Sequence, residues 1–442
     1  MASISFSLPQ AALFKFPPAT NPGFVPPPPA GPNSATVFDI PDDVYYAWLD
    51  PKVPLTIATV YAVTAKLLNI YNKSTGKKPW TISKTRPFHW FVIAHNVFLA
   101  VYSAWTFIGM LGAVRRSFVS PFGPEGLAGF VDSVCRINGP AGLSNSVFYN
   151  DEAGAFQTYS PHVTLGADGN PSRFDSGRLW NEGLAFYGWI FYLSKFYEVI
   201  DTLIILAKGK LSSTLQTYHH AGAMLCMWAG MRYMSTPIWV FCFVNSFIHA
   251  LMYTYYTVTA LNIRVPTPIK RSLTTMQITQ FLVGASYAIV HSFVSYTIPV
   301  VVANPEKTAS AAEAASTVVD SQKVLVFGNA TRVDAADATY GQRVVPCVTS
   351  NNSTFAIWLN VFYLAPLTYL FVSFFIESYT RRSNAAEKAK NAKPVDNVAM
   401  AEKAGWEAAK KMEGEVYGET KEDSSEARTT RSGSKRILRQ RA

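Results

Sequence analysis

FVIAHNVFLAVYSAWTFIGMLGA, residues Phe91 to Ala113, runs for 23 residues without an acid, a lysine or an arginine. At about 1.5 Å of rise per residue a helix of this length reaches about 34 Å, enough to cross a bilayer core. Comparable apolar runs occupy Val53 to Ile70, Leu184 to Leu206, Ser213 to Met234, Ile238 to Ala260, Thr275 to Ile298 and Phe355 to Glu377. With 49% hydrophobic and only 15% charged residues in 442, the chain is too apolar for an ordinary soluble enzyme. The reading is an all-α integral membrane protein of seven transmembrane helices, with its termini on opposite sides. No nucleic-acid partner is expected.

Lysine and arginine orient the spans, because positively charged loops stay cytosolic. The loop after the first run carries Lys73, Lys77, Lys78, Lys84 and Arg86, that after the third Lys208 and Lys210, and that after the fifth Arg264, Lys270 and Arg271. These loops and the basic tail (378–442) are expected in the cytosol. The Pro-rich N-terminal segment (1–52), the loop from Val114 to Gly183 and an Ala/Ser/Thr-rich insertion (about 303–354, read as flexible) then face the lumen. The first span, within a domain of residues 53–377, would serve as an uncleaved targeting signal. Glycosylation sequons at Asn329, Asn351 and Asn352 fall on the luminal side, whereas Asn72 falls on the cytosolic side and should stay bare. Cys135 and Cys347 both map to luminal loops, which predicts a disulfide between them; two free thiols are the alternative.

Within these apolar runs lie polar residues spaced to share helix faces. The third run carries Lys195, Glu198, Asp201 and Thr202, and the fourth Gln216, His219 and His220. The fifth carries Asn245, His249, Met252, Tyr253 and Tyr256, the sixth Gln277 and Gln280, and the second His95 and Asn96. Counting rise from the cytosolic ends puts most of these groups at about 5 to 12 Å depth, with Lys195 and His249 near 16 Å. Ionisable groups at membrane depth are costly and face a protein interior, so five helices with polar groups at like depth imply one cavity open to the cytosol. Plainer readings exist for some members. Lys195 and Glu198 can neutralise each other, Gln277 and Gln280 can tie helices together, and the Tyr253, Tyr255 and Tyr256 cluster reads as packing. His89, His162 and His291 read as surface or structural groups.

In order along the chain stand K-x-x-E-x-x-D-T (Lys195 to Thr202), a histidine box from Gln216 to His220, N-x-x-x-H-x-x-M-Y (Asn245 to Tyr253) and T-x-x-Q-x-x-Q (Thr274 to Gln280). This set resembles the ELO family of very-long-chain fatty acid elongases in its fungal-type form, over Val53 to Glu377. The box is often H-x-x-H-H in that family; Gln216 replaces the first histidine and argues against a three-histidine metal site. The resemblance implies six of seven helices around a tunnel in the endoplasmic reticulum membrane, and the charged loops put the N-terminus in the lumen and the C-terminus in the cytosol. It also implies condensation of a long-chain acyl-CoA with malonyl-CoA to a 3-ketoacyl-CoA, CO2 and CoA, without metal or other cofactor. His219 would accept the acyl group as an acyl-imidazole, and His220 and His249 would orient or relay protons. Asn245, Gln216 and Gln277 would donate to developing negative charge, while Lys195, Glu198 and Asp201 order the cavity. A ternary complex with a histidine acting only as base is the rival mechanism. Lys208, Lys210, Arg264, Lys270 and Arg271 ring the expected cytosolic mouth and would meet CoA phosphates. Chain length would depend on what closes the luminal end, around His291, Tyr296 and Phe355. The resemblance leaves open a homodimer and contacts with other elongation-cycle enzymes. A membrane di-iron desaturase also uses histidine boxes, but needs more clustered histidines than the seven present here. A seven-span receptor would not require this polar constellation.

Overall fold

The computed structural model describes residues 4–19, 23–302, 317–319, 324–326 and 339–388. Strand β1 (Ile4–Phe6) leads to α1 (Asp42–Trp48), α2 (Lys52–Ser74), α3 (Arg86–Ser117) and α4 (Gly126–Cys135). A hairpin of β2 (Val147–Asn150) and β3 (Ala155–Thr158) follows, then a π turn (Trp180–Leu184) that runs into α5 (Ala185–Tyr197) and α6 (Val199–Ala207). Next come α7 (Thr214–Arg232), α8 (Ile238–Val240), a second π turn (Phe241–Asn245), α9 (Ser246–Ala260) and α10 (Thr267–His291). Strands β4 (Val294–Val302), β5 (Thr317–Val319), β6 (Val324–Val326) and β7 (Thr339–Pro346) precede α11 (Asn351–Lys388).

Helix starts follow local chemistry. Thr85 accepts from the Phe88 N–H ahead of α3, and Ser213 accepts from the Gln216 N–H ahead of α7. Among the described residues, five segments are long and apolar enough to cross a membrane: Lys52–Ser74, Arg86–Ser117, Ile238–Ala260, Pro268–His291 and Asn351–Leu370. The third and fourth runs fall short for a visible reason. The third is broken at Glu198 into α5 and α6, and α7 carries Gln216, His219, His220 and Arg232.

The chain is mostly helical, but the all-α expectation is corrected by a sheet. Among the described residues its strand order is β1-β4-β6-β5, with β7 also paired to β4. The antiparallel β4–β7 ladder runs from Ser295 opposite Pro346 to Val302 opposite Thr339. Helix α10 ends at His291, and the β-branched stretch after it, read as the end of a span, extends as a strand. Residues of β5, β6 and β7 likewise fall within the segment read as a flexible insertion. The sheet marks one end of the helices, here the sheet end. The loops 75–85, 208–213 and 261–266 mark the opposite, loop end.

The Pro-rich lead-in belongs to the body of the protein. Phe24, Val25, Ile40, Tyr45 and Leu49 are buried in the main core with α5 and α7 residues. An extended Pro-rich backbone has carbonyls without helical partners, and side chains supply donors. Trp180 Nε1 donates to the Val25 carbonyl at 2.8 Å, Trp228 Nε1 to Leu49 at 2.7 Å and Tyr192 Oη to Trp48 at 2.9 Å.

At the sheet end Cys135 of α4 and Cys347 after β7 form a disulfide. Beside it Arg178 Nη2 pairs with Asp132 Oδ2 at 2.6 Å, both side chains buried, and Tyr296 Oη of β4 donates to Asp132 Oδ1 at 2.8 Å. Asn351 and Asn352 are buried at the start of α11. The Asn351 amide nitrogen donates to the Leu13 and Lys15 carbonyls. Asn329 lies outside the described residues. Asn72 is fully buried, donating to the Leu206 and Lys210 carbonyls and accepting from Trp80 Nε1.

Replacing Asp132 strands a buried guanidinium, which costs about 3–5 kcal/mol. Asp132→Ala is therefore expected to lower the melting temperature of the detergent-solubilised protein, measured by thermal-shift gel filtration, far more than Arg116→Ala at its partly exposed pair with Glu182.

Candidate active site

The break between α5 and α6 puts Glu198 at the centre of the helices, 1% exposed. Its Oε1 accepts from Lys195 Nζ at 2.7 Å and from Ser194 Oγ at 3.0 Å. Two imidazoles from other helices approach the same carboxylate: His249 Nδ1 of α9 lies 3.5 Å from Oε1, and His220 Nδ1 of α7 lies 3.9 Å from Oε2. Lys195 also donates to Asn245 Oδ1 at 3.2 Å, and Asn245 Nδ2 to Gln280 Oε1 of α10 at 3.2 Å. The Lys195 ammonium sits 4.1 Å from the Phe191 ring centroid, a cation-π contact that offsets part of its lost hydration.

Asp201, one turn on, anchors a second cluster. His95 Nε2 of α3 lies 2.7 Å from its Oδ1, and Tyr253 Oη donates to its Oδ2 at 2.6 Å. Next to it Thr202 Oγ1 and Tyr61 Oη of α2 are 2.8 Å apart, and the Tyr61 ring meets His220 edge-on. The two carboxylates thus gather α3, α5, α6, α7 and α9, and Thr202 and His220 add α2 through Tyr61.

His219 stands apart from both carboxylates. Its Nδ1 lies 2.8 Å from Tyr363 Oη of α11, and the same hydroxyl donates to the His219 carbonyl at 2.9 Å. His219 lines a small, partly open pocket of about 50 Å³. One part of the wall is polar, with Lys195, Asn245, Gln280 and Asn360. The rest is apolar, including Ala223, Met227, Val240, Phe241 and Leu364. Cys226 is also on this wall, two turns from His219, and its thiol lies 3.9 Å from the Leu359 carbonyl. His291, Tyr296 and Phe355 are not among the lining residues.

Of the residues picked out in the sequence, Lys195, Glu198, His220, His249, Asn245 and Gln280 share one connected layer, and His95, Asp201 and Thr202 a second. Gln280 lies deeper than expected, about 20 Å along a helix that starts at Thr267. Gln277 Nε2 instead donates to Met252 Sδ at 3.1 Å and ties α10 to α9. Tyr256 packs its ring on Tyr253, and Asn96 is buried on α3. Gln216 is buried with neither side-chain polar atom bonded among the described residues. Tyr253 is packed in a buried cluster with Leu99 and Met252, and its hydroxyl is in addition held by Asp201. Tyr363, Tyr61 and Ser194 escaped the sequence reading; the Asn360-x-x-Tyr363 spacing, two polar groups on one face of an apolar helix, was the available signal. The grouping Cys135, His291 and Cys347 is close enough for a metal, but both sulfurs are held in the disulfide.

At the loop end Lys208 and Lys210 are partly buried, and Arg264 is exposed. Burial and the nearby Lys210 push the Lys208 ammonium below the usual lysine range. Lys270 Nζ lies 5.8 Å from the Tyr255 ring centroid. Arg271 follows Lys270 near the start of α10.

The family model described as ELO: GNS1/SUR4 family matches residues 46–387. Similar curated proteins include fatty acid elongase sre1 of Dictyostelium discoideum, 39% identical over 23% of this chain and 38% of its own length. Fatty acid elongase 2 of Trypanosoma brucei brucei is 30% identical over 28% of this chain and 45% of its own length. Very long chain fatty acid elongase 3 of Homo sapiens is 33% identical over 25% of this chain and 40% of its own length. The chain therefore spans less than half the length of these relatives. No solved structure matches. With the family model covering most of the sequence, the chain belongs to the ELO: GNS1/SUR4 family.

Proposed function

We propose that this protein is the condensing enzyme of fatty acid elongation, joining a long-chain acyl-CoA to malonyl-CoA. The observation that carries this reading is the position of His219, on a pocket whose wall changes from a Lys195, Asn245 and Gln280 layer to apolar side chains. An acyl chain suits the apolar wall and a thioester carbonyl the polar one. The named relatives, fatty acid elongases, support the same chemistry.

In the first stage an imidazole nitrogen of His219 attacks the acyl thioester carbonyl. The C–S bond breaks, CoA departs as the thiol with the proton the imidazole gives up, and an acyl-imidazole remains. Malonyl-CoA then enters and loses CO2. The enolate carbon attacks the acyl-imidazole carbonyl, the C–N bond breaks, the departing imidazole nitrogen takes up the one proton the reaction consumes, delivered from solvent by way of His220 or His249, and 3-ketoacyl-CoA leaves with His219 regenerated. Both stages build charge on an oxyanion, which the Asn245 and Gln280 amides can stabilise. The buried Gln216 amide is a further donor, whereas Gln277 is occupied by Met252. His220 and His249 share the Glu198 carboxylate and are suited to hold and return protons. Lys208, Lys210, Arg264, Lys270 and Arg271 would take the CoA phosphates at the loop end.

The same reading makes α5–α6 and α7 two further crossings beside the five apolar helices, giving seven, six of them around the substrate tunnel. Helices too polar to cross alone are tolerated where their polar faces meet inside a bundle. The disulfide at the sheet end supports placing that end in the oxidising lumen of the endoplasmic reticulum, and the basic loops in the cytosol. Acyl-CoA and malonyl-CoA are then the substrates, drawn from cytosol and membrane.

Incubating purified protein with acyl-CoA alone is expected to leave an acyl adduct on the His219 peptide by mass spectrometry. His219→Ala should lose both the adduct and incorporation of radiolabelled malonyl-CoA; a trapped wild type without adduct would rule out the covalent route. Glu198→Gln keeps the shape but loses the charge that holds Lys195, His220 and His249, and should lower kcat by about 100-fold. Steady-state kinetics on matched amounts of folded enzyme read that loss.

A further inference from the structure

We propose that Tyr363 is a positioning residue that sets the tautomer of His219, keeping the proton on Nδ1 and the lone pair on Nε2. This rests on the acyl-imidazole reading, and identifies what makes one of three clustered histidines the acyl acceptor.

The argument starts from hydrogen-bond valence. A phenol has one proton and can also accept. Tyr363 Oη meets two groups of His219, the carbonyl oxygen at 2.9 Å and Nδ1 at 2.8 Å. The carbonyl can only accept, so the phenol proton goes to it and the phenol oxygen accepts from Nδ1–H. The opposite assignment, with the proton on Nδ1's side, leaves two oxygens facing each other at 2.9 Å without a hydrogen between them. In a buried setting the fully bonded arrangement wins. Neutral imidazole with hydrogen on Nδ1 carries its lone pair on Nε2, the atom available to a carbonyl carbon.

The other two histidines differ in a telling way. His220 and His249 direct Nδ1 toward the Glu198 carboxylate. Those contacts, at 3.9 and 3.5 Å, are longer than the 2.8 Å bond between the phenol and His219 Nδ1, and the neutral phenol fixes the tautomer without adding a negative charge. The two kinds of partner therefore set His219 apart from the other two histidines.

Tyr363 is held where this contact needs it. Gly222, three residues after His219, faces its ring so closely that a Cβ there would collide with it. Tyr218 Oη donates to the Tyr363 carbonyl at 3.1 Å, and the Tyr363 ring lies nearly parallel to the His219 ring, 19° apart. Leu364 and Leu367 bury the same face of α11 against Cys226.

The test uses full-length protein in detergent, with Tyr363→Phe keeping the ring and removing the hydroxyl. With labelled acyl-CoA and no malonyl-CoA, the variant should form the His219 adduct about tenfold more slowly, the loss expected for one buried hydrogen bond, at unchanged half-saturation. In 15N-histidine spectra, the signal lost in His219→Gln should show protonated Nδ1 and bare Nε2 in wild type, and a tautomer mixture in Tyr363→Phe. Tyr287→Phe, which removes a phenol hydroxyl that accepts from Trp239 Nε1 and touches neither His219 nor Tyr363, should match wild type in both readouts. A wild-type spectrum with hydrogen on Nε2, or a Tyr363→Phe protein that acylates at the wild-type rate, overturns the proposal, as does a Tyr287→Phe protein equally impaired. If His219→Ala acylates normally, the acyl-imidazole reading fails instead, and the tautomer spectrum still decides whether Tyr363 holds the ring.

Discussion

The Glu198 carboxylate, 1% exposed between α5 and α6, sets the terms for the rest of the interior. A buried charge forfeits several kcal/mol of hydration unless partners replace it. Lys195 and Ser194 do so from its own segment, and His220 and His249 come from α7 and α9. Oε1 carries the hydrogen bonds while, among the described residues, Oε2 meets only the His220 imidazole at 3.9 Å, so one carboxylate draws three segments together. Asp201 repeats the device one turn away with His95 from α3 and Tyr253 from α9. In a bilayer, where apolar burial between helices gives little preference for one arrangement, such bonds supply much of the specificity.

That scaffold leaves His219 without a carboxylate and places it against Tyr363. Chemistry at His219 then depends on an element from the far end of the chain, since α11 brings both Asn360 to the pocket wall and the phenol to the imidazole. Gly222 is the local permission for that approach: any side chain there would occupy the space of the Tyr363 ring.

The sheet end carries a different logic. There the Arg178–Asp132 pair, the Tyr296 hydroxyl and the Cys135–Cys347 bridge join α4 to β4 and to the start of α11. Trp180, Tyr192 and Trp228 bind carbonyls of the Pro-rich segment and the residues after it, which have few backbone partners of their own. The sheet end thus secures the ends of the helices whose middles carry the polar layer.

Sequence alone determined the apolar helices, the polar faces at i, i+3 and i+4, and the pairing of Lys195 with Glu198, because helical geometry makes these local properties. It also pointed to His219, His220 and His249 as a set, since imidazoles inside apolar runs need a reason. Only the tertiary structure decided which partner each imidazole faces, because His219 and Tyr363 are 144 residues apart and their contact follows from how α7 and α11 pack. The strand β4 depended likewise on β7, which is distant in the chain, so an apolar β-branched run read as a helix end. The bond of the Tyr253 hydroxyl to Asp201 on another helix was likewise not local, and Gln280 took its depth from a helix start earlier than hydropathy suggested. Local periodicity is written in neighbouring residues, whereas pairing across helices is settled by satisfying buried charge and hydrogen bonds in three dimensions.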